Sequence, residues 1–186
     1  VGELDRAVTD LGLRGLKLGP FYQNIHPMDE RLQQAYRFCQ ERGLPVLFHM
    51  GTNPIRQCPL KYTLPILLDE VAIAYPDLVM VMAHLGHPWE RDALVTVRKH
   101  PNLYADVSAL HYRPWEFYNT MVLAVEWGVT HKILFGSDFP WSTPAATMEA
   151  MRKINSIAGG TNLPKIAGEV IEGIIGRDTL ATLNLK

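Results

Sequence analysis

Three apolar segments of the sequence end in a side chain that can bind a metal ion. They are PVLFH at 45–49, LVMVMAH at 78–84 and ILFGSD at 133–138, and they end in His49, His84 and Asp138. Imidazole and carboxylate groups bind Zn2+ and related ions, and a carboxylate can also accept a proton. A bound metal lowers the pKa of water to about 7 and so supplies hydroxide at neutral pH. These residues together indicate a hydrolytic metal site.

Each of the three residues alone has a simpler interpretation. A single histidine at a strand end is more often a hydrogen-bonded structural residue, and GSDFP at 136–140 is typical of a turn with Asp138 as a helix cap. The repetition at matching positions is what favours a shared site. Because side chains alternate between the faces of a strand, we expect each residue to share a face with earlier members of its segment. The expected sets are Leu47 with His49, Met80 and Met82 with His84, and Leu134 and Gly136 with Asp138.

These segments belong to a series of five short apolar runs, each of strand length and rich in Val, Leu, Ile or Phe. The runs lie at 13–18, 45–49, 78–83, 103–107 and 132–135. Amphipathic helical patterns lie between and after them, at 32–39, 64–75 and 117–125, after a cap at Ser142 or Thr143, at 163–175 and then to Leu183. Strand–helix units in succession predict a parallel sheet covered by helices, which is an α/β fold.

The spacing of the strands favours a barrel. Strand starts recur every 25 to 33 residues, and eight units of about 30 residues would total about 240, near the usual length of a (β/α)8 TIM barrel. An open, doubly wound sheet of five strands is the alternative. No glycine-rich phosphate loop follows any strand, so nothing supports nucleotide binding. Both architectures place chemistry at the C-terminal ends of the strands, where His49, His84 and Asp138 lie.

The composition excludes several classes of function. The chain is 47% hydrophobic and has a net charge of −1, so we expect no nucleic-acid partner. No apolar run approaches the roughly 20 residues that cross a membrane, and residues 1–10 lack the features of a secretory signal. Cys39 and Cys58 do not make a disulfide framework. We therefore expect a cytoplasmic protein without a membrane partner.

Four motifs in order along the chain resemble one known family. GLKL at 15–18, PVLFHMG at 45–51, AHLG at 83–86 and FGSDFP at 135–140 are similar to motifs of the amidohydrolase-related branch of the amidohydrolase superfamily. Members of that branch are metal-dependent TIM-barrel hydrolases, lactonases and decarboxylases. By analogy, the five strands look like strands four to eight of the barrel. The resemblance thus implies one partial TIM-barrel domain over residues 1–186.

The resemblance also implies a role for each strand-end residue. His49 matches a metal ligand on the fifth strand. His84 matches the sixth-strand histidine that polarises the substrate or the metal-bound water. Asp138 matches the eighth-strand aspartate that binds the metal and acts as general base. The implied cofactor is a divalent metal, with Zn2+ favoured over Mn2+. Lys17 ends the fourth strand, where some members of the superfamily have a carbamylated lysine, although this branch usually does not.

Several loop residues are weaker candidates. Arg113 is a candidate for binding a substrate carboxylate, and Trp141 and Trp89 for lining an aromatic pocket. A solvated surface arginine and two loop-anchoring tryptophans are the simpler interpretations. Further polar residues end the fourth predicted strand or follow it in its loop: Asp106, Ser108, His111 and Tyr112.

The sequence departs from the family pattern in one important way. The His-x-His pair of the family's first strand, which supplies two more metal ligands, is not found here, and the nearest pattern, His84-Leu-Gly-His87, has the wrong spacing and position. Strands one to three have no counterpart either. A barrel open at that point has two unpaired edges and an apolar opening. A partial gene, a proteolysed chain and assembly with another copy that closes the gap are the alternatives, and the last of these predicts a homo-oligomer.

The expected function is metal-dependent hydrolysis of a small carboxylated or cyclic substrate. His49 and Asp138 would hold the metal, Asp138 would take the proton of water, and His84 would stabilise the developing charge. Non-oxidative decarboxylation of an aromatic or unsaturated acid on the same site is an alternative. So is a catalytically incompetent barrel fragment, because ligands are missing. A binding module built on an open sheet requires the three strand-end residues to be coincidental.

Overall fold

Five short strands lie side by side in one parallel sheet, in the order in which they occur in the chain. The computed structural model describes residues 1–185. The strands are β1 (Leu16–Leu18), β2 (Val46–His49), β3 (Met80–Ala83), β4 (Leu103–Asp106) and β5 (Ile133–Leu134). This confirms the predicted parallel α/β arrangement. A doubly wound sheet reverses its strand order at a switch point, whereas a barrel keeps chain order, so the sequential order favours the barrel.

Helices connect the strands and follow the last one. They are α1 (Gly2–Thr9), α2 (Pro20–Gln23), α3 (Glu30–Glu41), α4 (Leu68–Ala74), α5 (Glu90–Lys99), α6 (Pro114–Glu126), α7 (Pro144–Arg152), α8 (Gly168–Ile175) and α9 (Thr179–Thr182). Short 3-10 turns occur at Leu60–Tyr62, Pro65–Leu67, His84–Gly86, Thr130–Lys132 and Ile154–Ala158. No helix among residues 1–185 is long and apolar enough to cross a membrane.

One face of the sheet packs on the helices and forms the core. Val46, Phe48, Met80 and Met82 have no exposed surface, and they share a core cluster with residues of α3, α4, α5 and α6. This face stabilises the fold, because each Å2 of apolar surface that is removed from water contributes about 25 cal/mol to stability. Cys39 of α3 lies in the same cluster as a free, buried thiol, as expected for a small apolar residue.

The other face of the sheet lines an open hollow of about 410 Å3. Leu47, Val81 and Leu134 lie on this face together with Lys17 and Asp106. The C-terminal segment covers part of the hollow, with Leu183 and Leu185 in its wall. In a closed barrel this face would be the interior, so the hollow is the open side of a partial barrel.

The predicted face of His84 was wrong. Met80 and Met82 belong to the helix-facing core, and Val81 is the β3 residue that lines the hollow, in register with Leu47 of β2. The strand ends at Ala83, and His84 begins a turn with a φ of 61°. The alternation of side chains along the strand therefore does not extend to His84, because a left-handed backbone conformation changes the direction of the chain there.

Several element boundaries also differ from the sequence prediction. The helix expected at 64–75 is divided into the 3-10 turn Pro65–Leu67, with Pro65 in its first position, and α4, which begins at Leu68. The helix expected from 163 begins only at Gly168. Before it, the side chain of Asn155 donates to the Ile166 carbonyl (2.7 Å) and accepts from the Ile166 N–H (2.9 Å), which holds that stretch extended. The predicted cap of α7 is present: the Thr143 hydroxyl accepts from the Ala146 N–H.

Candidate functional site

The three strand-end residues come together in one cavity at the C-terminal ends of the strands. His49, His84 and Asp138 all line this cavity, which has a volume of about 650 Å3. His49 is the last residue of β2, His84 follows β3 directly, and Asp138 lies four residues beyond β5. The parallel sheet brings their loops to the same edge, as its architecture requires. We refer to this space as the strand-end cavity.

His49 is held between two aromatic groups. Its ring centroid lies 4.7 Å from that of Phe21 and 4.8 Å from that of His84, and its Nε2 lies 3.3 Å from the Thr52 carbonyl oxygen. Burial, and then the neighbouring His84, lower the pKa of the His49 imidazole to about 4. The ring is therefore neutral at neutral pH, which is the form that binds a metal ion.

Ser108 determines the tautomer of His84. The His84 Nδ1 lies 2.8 Å from the Ser108 Oγ and 3.2 Å from the Ser108 carbonyl oxygen. The Ser108 hydroxyl donates its own proton to Asp106, and a carbonyl oxygen can only accept. The neutral His84 ring therefore carries its proton on Nδ1 and leaves a lone pair on Nε2.

Asp106 supports His84 from the end of β4. Its Oδ1 accepts hydrogen bonds from the backbone N–H of His84 (3.0 Å), from that of Ser108 (3.0 Å) and from the Ser108 hydroxyl. Hydrogen bonds to an ionised acceptor are stronger than neutral ones. Asp106 thus fixes the left-handed turn at His84 and orients the serine that orients the ring.

Asp138, like His84, has a left-handed backbone conformation and lines the cavity. Its φ is 62°, and its carbonyl oxygen accepts from the Trp141 N–H at 2.9 Å. The Asp138 carboxylate opposes the lowering of the His49 pKa. The pKa of Lys17 is lowered by burial, although the residue keeps an exposed side, and Asp106 and Asp138 oppose that change as well. Asp138, His49 and Lys17 therefore share one electrostatic environment.

The possible metal ligands in the cavity are of the right chemical type for a divalent ion, but there are too few of them. His49 and Asp138 offer a neutral imidazole and a carboxylate in one cavity, which suits Zn2+ or Mn2+. Within residues 1–185, however, no group of three or more His, Cys, Asp and Glu side chains is placed to hold a metal ion. Catalytic zinc usually has about three protein ligands. A catalytic zinc held by His49 and Asp138 would therefore need a further ligand from outside this pair.

Aromatic and cationic side chains form the rim of the strand-end cavity. Arg113 lies with its guanidinium carbon 5.0 Å from the Tyr112 ring centroid, and its Nη1 donates to the Ala109 carbonyl at 3.3 Å. Trp141 is 84% exposed, which is unusual for so large an apolar ring at the edge of a cavity. Tyr22 also lines the cavity. These groups can contact a small ligand that enters from solvent.

Two other candidates lie outside this cavity. Trp89 borders a separate cavity of about 260 Å3 beside Asn119 and Leu123. His111 borders a third cavity, of about 160 Å3, and its Nδ1 is buried without a hydrogen-bond partner among the described residues. Neither residue is among those that line the strand-end cavity.

Sequence reasoning missed His87 as a site residue. His87 is buried and lines the strand-end cavity, and its Nδ1 lies 2.7 Å from a carboxylate oxygen of Glu90. The local signal was the spacing of His87 and Glu90, three residues apart across the start of a helix. The sequence places His87 in a loop just after a strand, but its spacing from His84 does not match a His-x-His pair.

Comparisons with known proteins agree with this architecture. The model of a family described as amidohydrolase matches residues 1–163. An uncharacterised TIM-barrel protein from Bordetella bronchiseptica has a TM-score of 0.73 and 26% identity, over 96% of this chain and 61% of that one. The partial TIM barrel predicted from the sequence is thereby confirmed. No curated protein matches the chain.

Two further solved structures resemble the chain at lower identity. A dihydroxybenzoic acid decarboxylase from Polaromonas sp., with bound manganese and the inhibitor 2-nitroresorcinol, has a TM-score of 0.67 and 15% identity, over 99% of this chain and 64% of that one. A probable 2-pyrone-4,6-dicarboxylic acid hydrolase from Acinetobacter baumannii has a TM-score of 0.60 and 18% identity, over 95% and 68%. The chain spans about 61% of the length of the Bordetella bronchiseptica protein.

Proposed function

The chain belongs to the amidohydrolase family, and on that premise we propose that it contributes to a metal-dependent hydrolase acting on a small carboxylated or cyclic substrate. The observation that carries the proposal is the convergence of His49, His84 and Asp138, from three different strand ends, on one cavity. Chance placement of three such groups at the catalytic edge of a barrel is a poor alternative explanation.

His49 and Asp138 are the residues that would hold the metal, with Zn2+ the first choice and Mn2+ the second. The bound ion would supply Lewis acidity toward water and toward a substrate carbonyl. His49 is suited to this role because its low pKa keeps the imidazole lone pair available at neutral pH. Asp138 would also act as the general base that takes a proton from the attacking water.

The orientation of His84 refines its proposed role. In the neutral ring the proton lies on Nδ1, toward Ser108, so the Nε2 accepts rather than donates. His84 would therefore polarise a water or a substrate hydroxyl by accepting its hydrogen bond. It would stabilise negative charge on the substrate only after it takes up a proton.

Arg113 and Trp141 are the proposed substrate-binding residues. Arg113 would pair with a substrate carboxylate, since its planar guanidinium matches that group. Trp141 would lie against the apolar part of a small molecule, which its exposed ring at the rim permits.

Decarboxylation of an aromatic acid is a second candidate function. The observation that favours it is the aromatic rim, in which Tyr22, Tyr112 and Trp141 lie beside Arg113. An aromatic carboxylate would meet both kinds of group there. The dihydroxybenzoic acid decarboxylase from Polaromonas sp. shares the fold, which accords with this candidate.

We also propose that the chain works as a homo-oligomer. β1 and β5 are the edge strands of the described sheet, and the hollow between them is open. A second copy seated there would both cover apolar surface and bring additional ligands toward His49 and Asp138. Both cysteines are free thiols in the described structure, which accords with the reducing cytoplasm as the proposed location.

Metal titration together with turnover tests the proposed function. We expect saturable binding of Zn2+ or Mn2+ to the purified chain, lost in His49→Ala and in Asp138→Ala. His131→Ala is the matched control, because this exposed histidine does not line the cavity. Turnover of lactones by the metal-loaded chain supports hydrolysis, and release of CO2 from hydroxybenzoates supports decarboxylation. Binding that survives both cavity substitutions would overturn the proposed metal site.

A further inference from the structure

Two carboxylates contact His87 and Arg113, which both line the strand-end cavity. His87 lies between two carboxylates, with its Nδ1 2.7 Å from the Glu90 Oε1 and 3.5 Å from the Glu116 Oε2. Glu116 in turn lies 3.9 Å from the Arg113 guanidinium. The contacts thus run from Glu90 to His87, from His87 to Glu116, and from Glu116 to Arg113. These residues come from the start of α5, the turn after β3, the first turn of α6 and the loop before it.

The carboxylates determine which nitrogen of His87 faces them. An ionised carboxylate only accepts hydrogen bonds, so the His87 Nδ1 must carry the proton that reaches Glu90. The other nitrogen, Nε2, has no hydrogen bond to any described residue, and it is not among the polar atoms of residues 1–185 that are sealed from solvent without a partner. Because His87 lines the cavity, Nε2 is the ring nitrogen that is free to contact a molecule bound there.

The backbone around His87 is held firmly in place. The His87 N–H donates to the His84 carbonyl at 2.9 Å, and the His87 carbonyl accepts from the Thr52 N–H at 2.6 Å. His84 and His87 therefore stand at the two ends of one tight turn and line the same cavity. Glu90 is itself nearly buried, with 14% of its side chain exposed, so its carboxylate is a fixed partner rather than a mobile surface group.

We propose that His87 is the general acid of this site and that Glu90 is its positioning residue, an inference that rests on the proposed hydrolytic function. Water adds to the substrate carbonyl carbon and loses a proton to Asp138. His87 enters this step as the imidazolium, with a proton on each ring nitrogen. The bond from that carbon to the leaving oxygen then breaks, its electron pair stays on the oxygen, and the oxygen takes the Nε2 proton, which leaves His87 neutral with its proton on Nδ1. The proton on Asp138 returns through water to His87, so the products are an acid and an alcohol and the enzyme is restored.

The surroundings of His87 suit this role better than those of the other histidines. The Glu90 and Glu116 carboxylates compensate the positive charge that His87 carries when it is protonated, and Arg113 lies beyond Glu116. His49 is kept neutral by its low pKa. The Nδ1 of His84 contacts the uncharged Ser108, whereas that of His87 faces two carboxylates that can balance a positive charge on the ring. A carboxylate that orients an imidazole and stabilises its charged form is an effective arrangement for proton transfer.

A comparison of two esters tests the proposal in the metal-loaded protein. One ester has a poor alkoxide leaving group, and the other has an activated aryl leaving group that departs without a proton. We expect His87→Gln to lower kcat by about 10²–10⁴-fold on the alkyl ester, and by less than about tenfold on the aryl ester. Glu90→Gln should also lower kcat more on the alkyl ester than on the aryl ester, but by a smaller factor. Glu126→Gln, a control at an exposed position at the far end of α6, should lower kcat on neither ester. An equal loss on both esters would overturn the role of His87 while leaving hydrolysis intact.

A measurement on the resting protein tests the geometry independently of turnover. Nitrogen-15 NMR of the imidazoles, assigned with His87→Gln, should show neutral His87 with its proton on Nδ1, and this preference should weaken in Glu90→Ala. A neutral His87 protonated on Nε2 in the unmutated chain would overturn the proposal even if esters are hydrolysed.

Discussion

The carbonyl oxygen of His87 lies only 2.6 Å from the position that a Cβ on Gly51 would occupy. The two residues belong to different loops, one after β2 and the other after β3. Gly51 has a φ of 120° and donates its N–H to the Thr63 carbonyl at 2.9 Å. The loops that carry His49 and His87 are therefore in direct backbone contact, and that contact depends on the absence of a side chain at position 51.

Gly51→Ala should disturb both stability and the strand-end cavity. The added methyl group meets a backbone oxygen that cannot move aside, and the backbone conformation is itself unfavourable for alanine, so we expect a loss of about 1–3 kcal/mol in the free energy of unfolding. Urea denaturation measures the loss. Gly43→Ala is the matched control, since Gly43 also has a positive φ, 62°, but nothing lies within 4 Å of its added Cβ. Equal losses in the two variants would show that the contact with His87 is unimportant.

Asp106 should be more important for stability than for chemistry. Asp106→Ala leaves the N–H groups of His84 and Ser108 without their acceptor, so we expect a loss of about 2–4 kcal/mol in the free energy of unfolding. Asp106→Asn keeps one acceptor oxygen and should lose less. Chemical denaturation checks both variants against Asp77→Ala, an exposed aspartate whose removal should change stability by about 0.5 kcal/mol or less. A loss in Asp106→Ala no larger than in the control would contradict the supporting role.

Lys132 should make the protein more stable as the pH rises above 8. Its amine is buried, donates to the carbonyls of Val97 (2.7 Å) and His100, and has a pKa that burial lowers from 10.5 to about 8. Between these two values the unfolded chain holds the proton more tightly than the folded chain. The free energy of unfolding therefore gains a contribution that increases with pH, and below about pH 8 that contribution is absent.

The measurement for Lys132 is urea unfolding at several pH values between 7.5 and 10, for the unmutated chain and for Lys132→Met. The difference between the two proteins isolates the lysine from other groups that titrate in this range. We expect the unmutated chain to gain stability relative to Lys132→Met as the pH rises. A difference that stays constant with pH would show that the amine keeps its ordinary pKa.

Trp141→Ala should affect substrate binding without affecting the fold. The ring is 84% exposed, so its removal should change the free energy of unfolding by about 0.5 kcal/mol or less, yet it lines the cavity and should raise KM. Steady-state kinetics and denaturation measure the two effects. Trp115→Ala is the matched control, because Trp115 is 55% exposed and lies outside the cavity wall. A similar rise in KM in both variants would indicate a general surface effect.

The arrangement of the sheet was accessible from the sequence because its strands are short, apolar and regularly spaced. Their ends were harder to place. The first strand was expected from residue 13, but Leu11 and Leu13 are exposed, and pairing begins only at Leu16. The helix Gly2–Thr9 was not predicted. None of its residues is fully buried, and its contact with the core comes from the partly buried Leu4 and Val8, a short apolar stripe.

The site was predictable in its strand-end residues and not in the turns that aim them. His84 and Asp138 both have positive φ, which residues other than glycine adopt only uncommonly, so the simple alternation of faces could not place them. The contacts of His87 with the two carboxylates could not be predicted for another reason. Glu116 is 29 positions away in the sequence, and only the packing of α6 beside the turn after β3 brings its carboxylate to the ring.

Each strand of the sheet pairs only with the strand before or after it in the chain. No strand has to be inserted between two that have already paired, so a nascent polypeptide can dock each new unit onto the free edge of the preceding one as it leaves the ribosome. Domains generally form in this N-terminal-first direction during translation. Of the three convergent side chains Asp138 emerges last, so the proposed pair of metal ligands, His49 and Asp138, would come together only after β5 and the loop beyond it have been made.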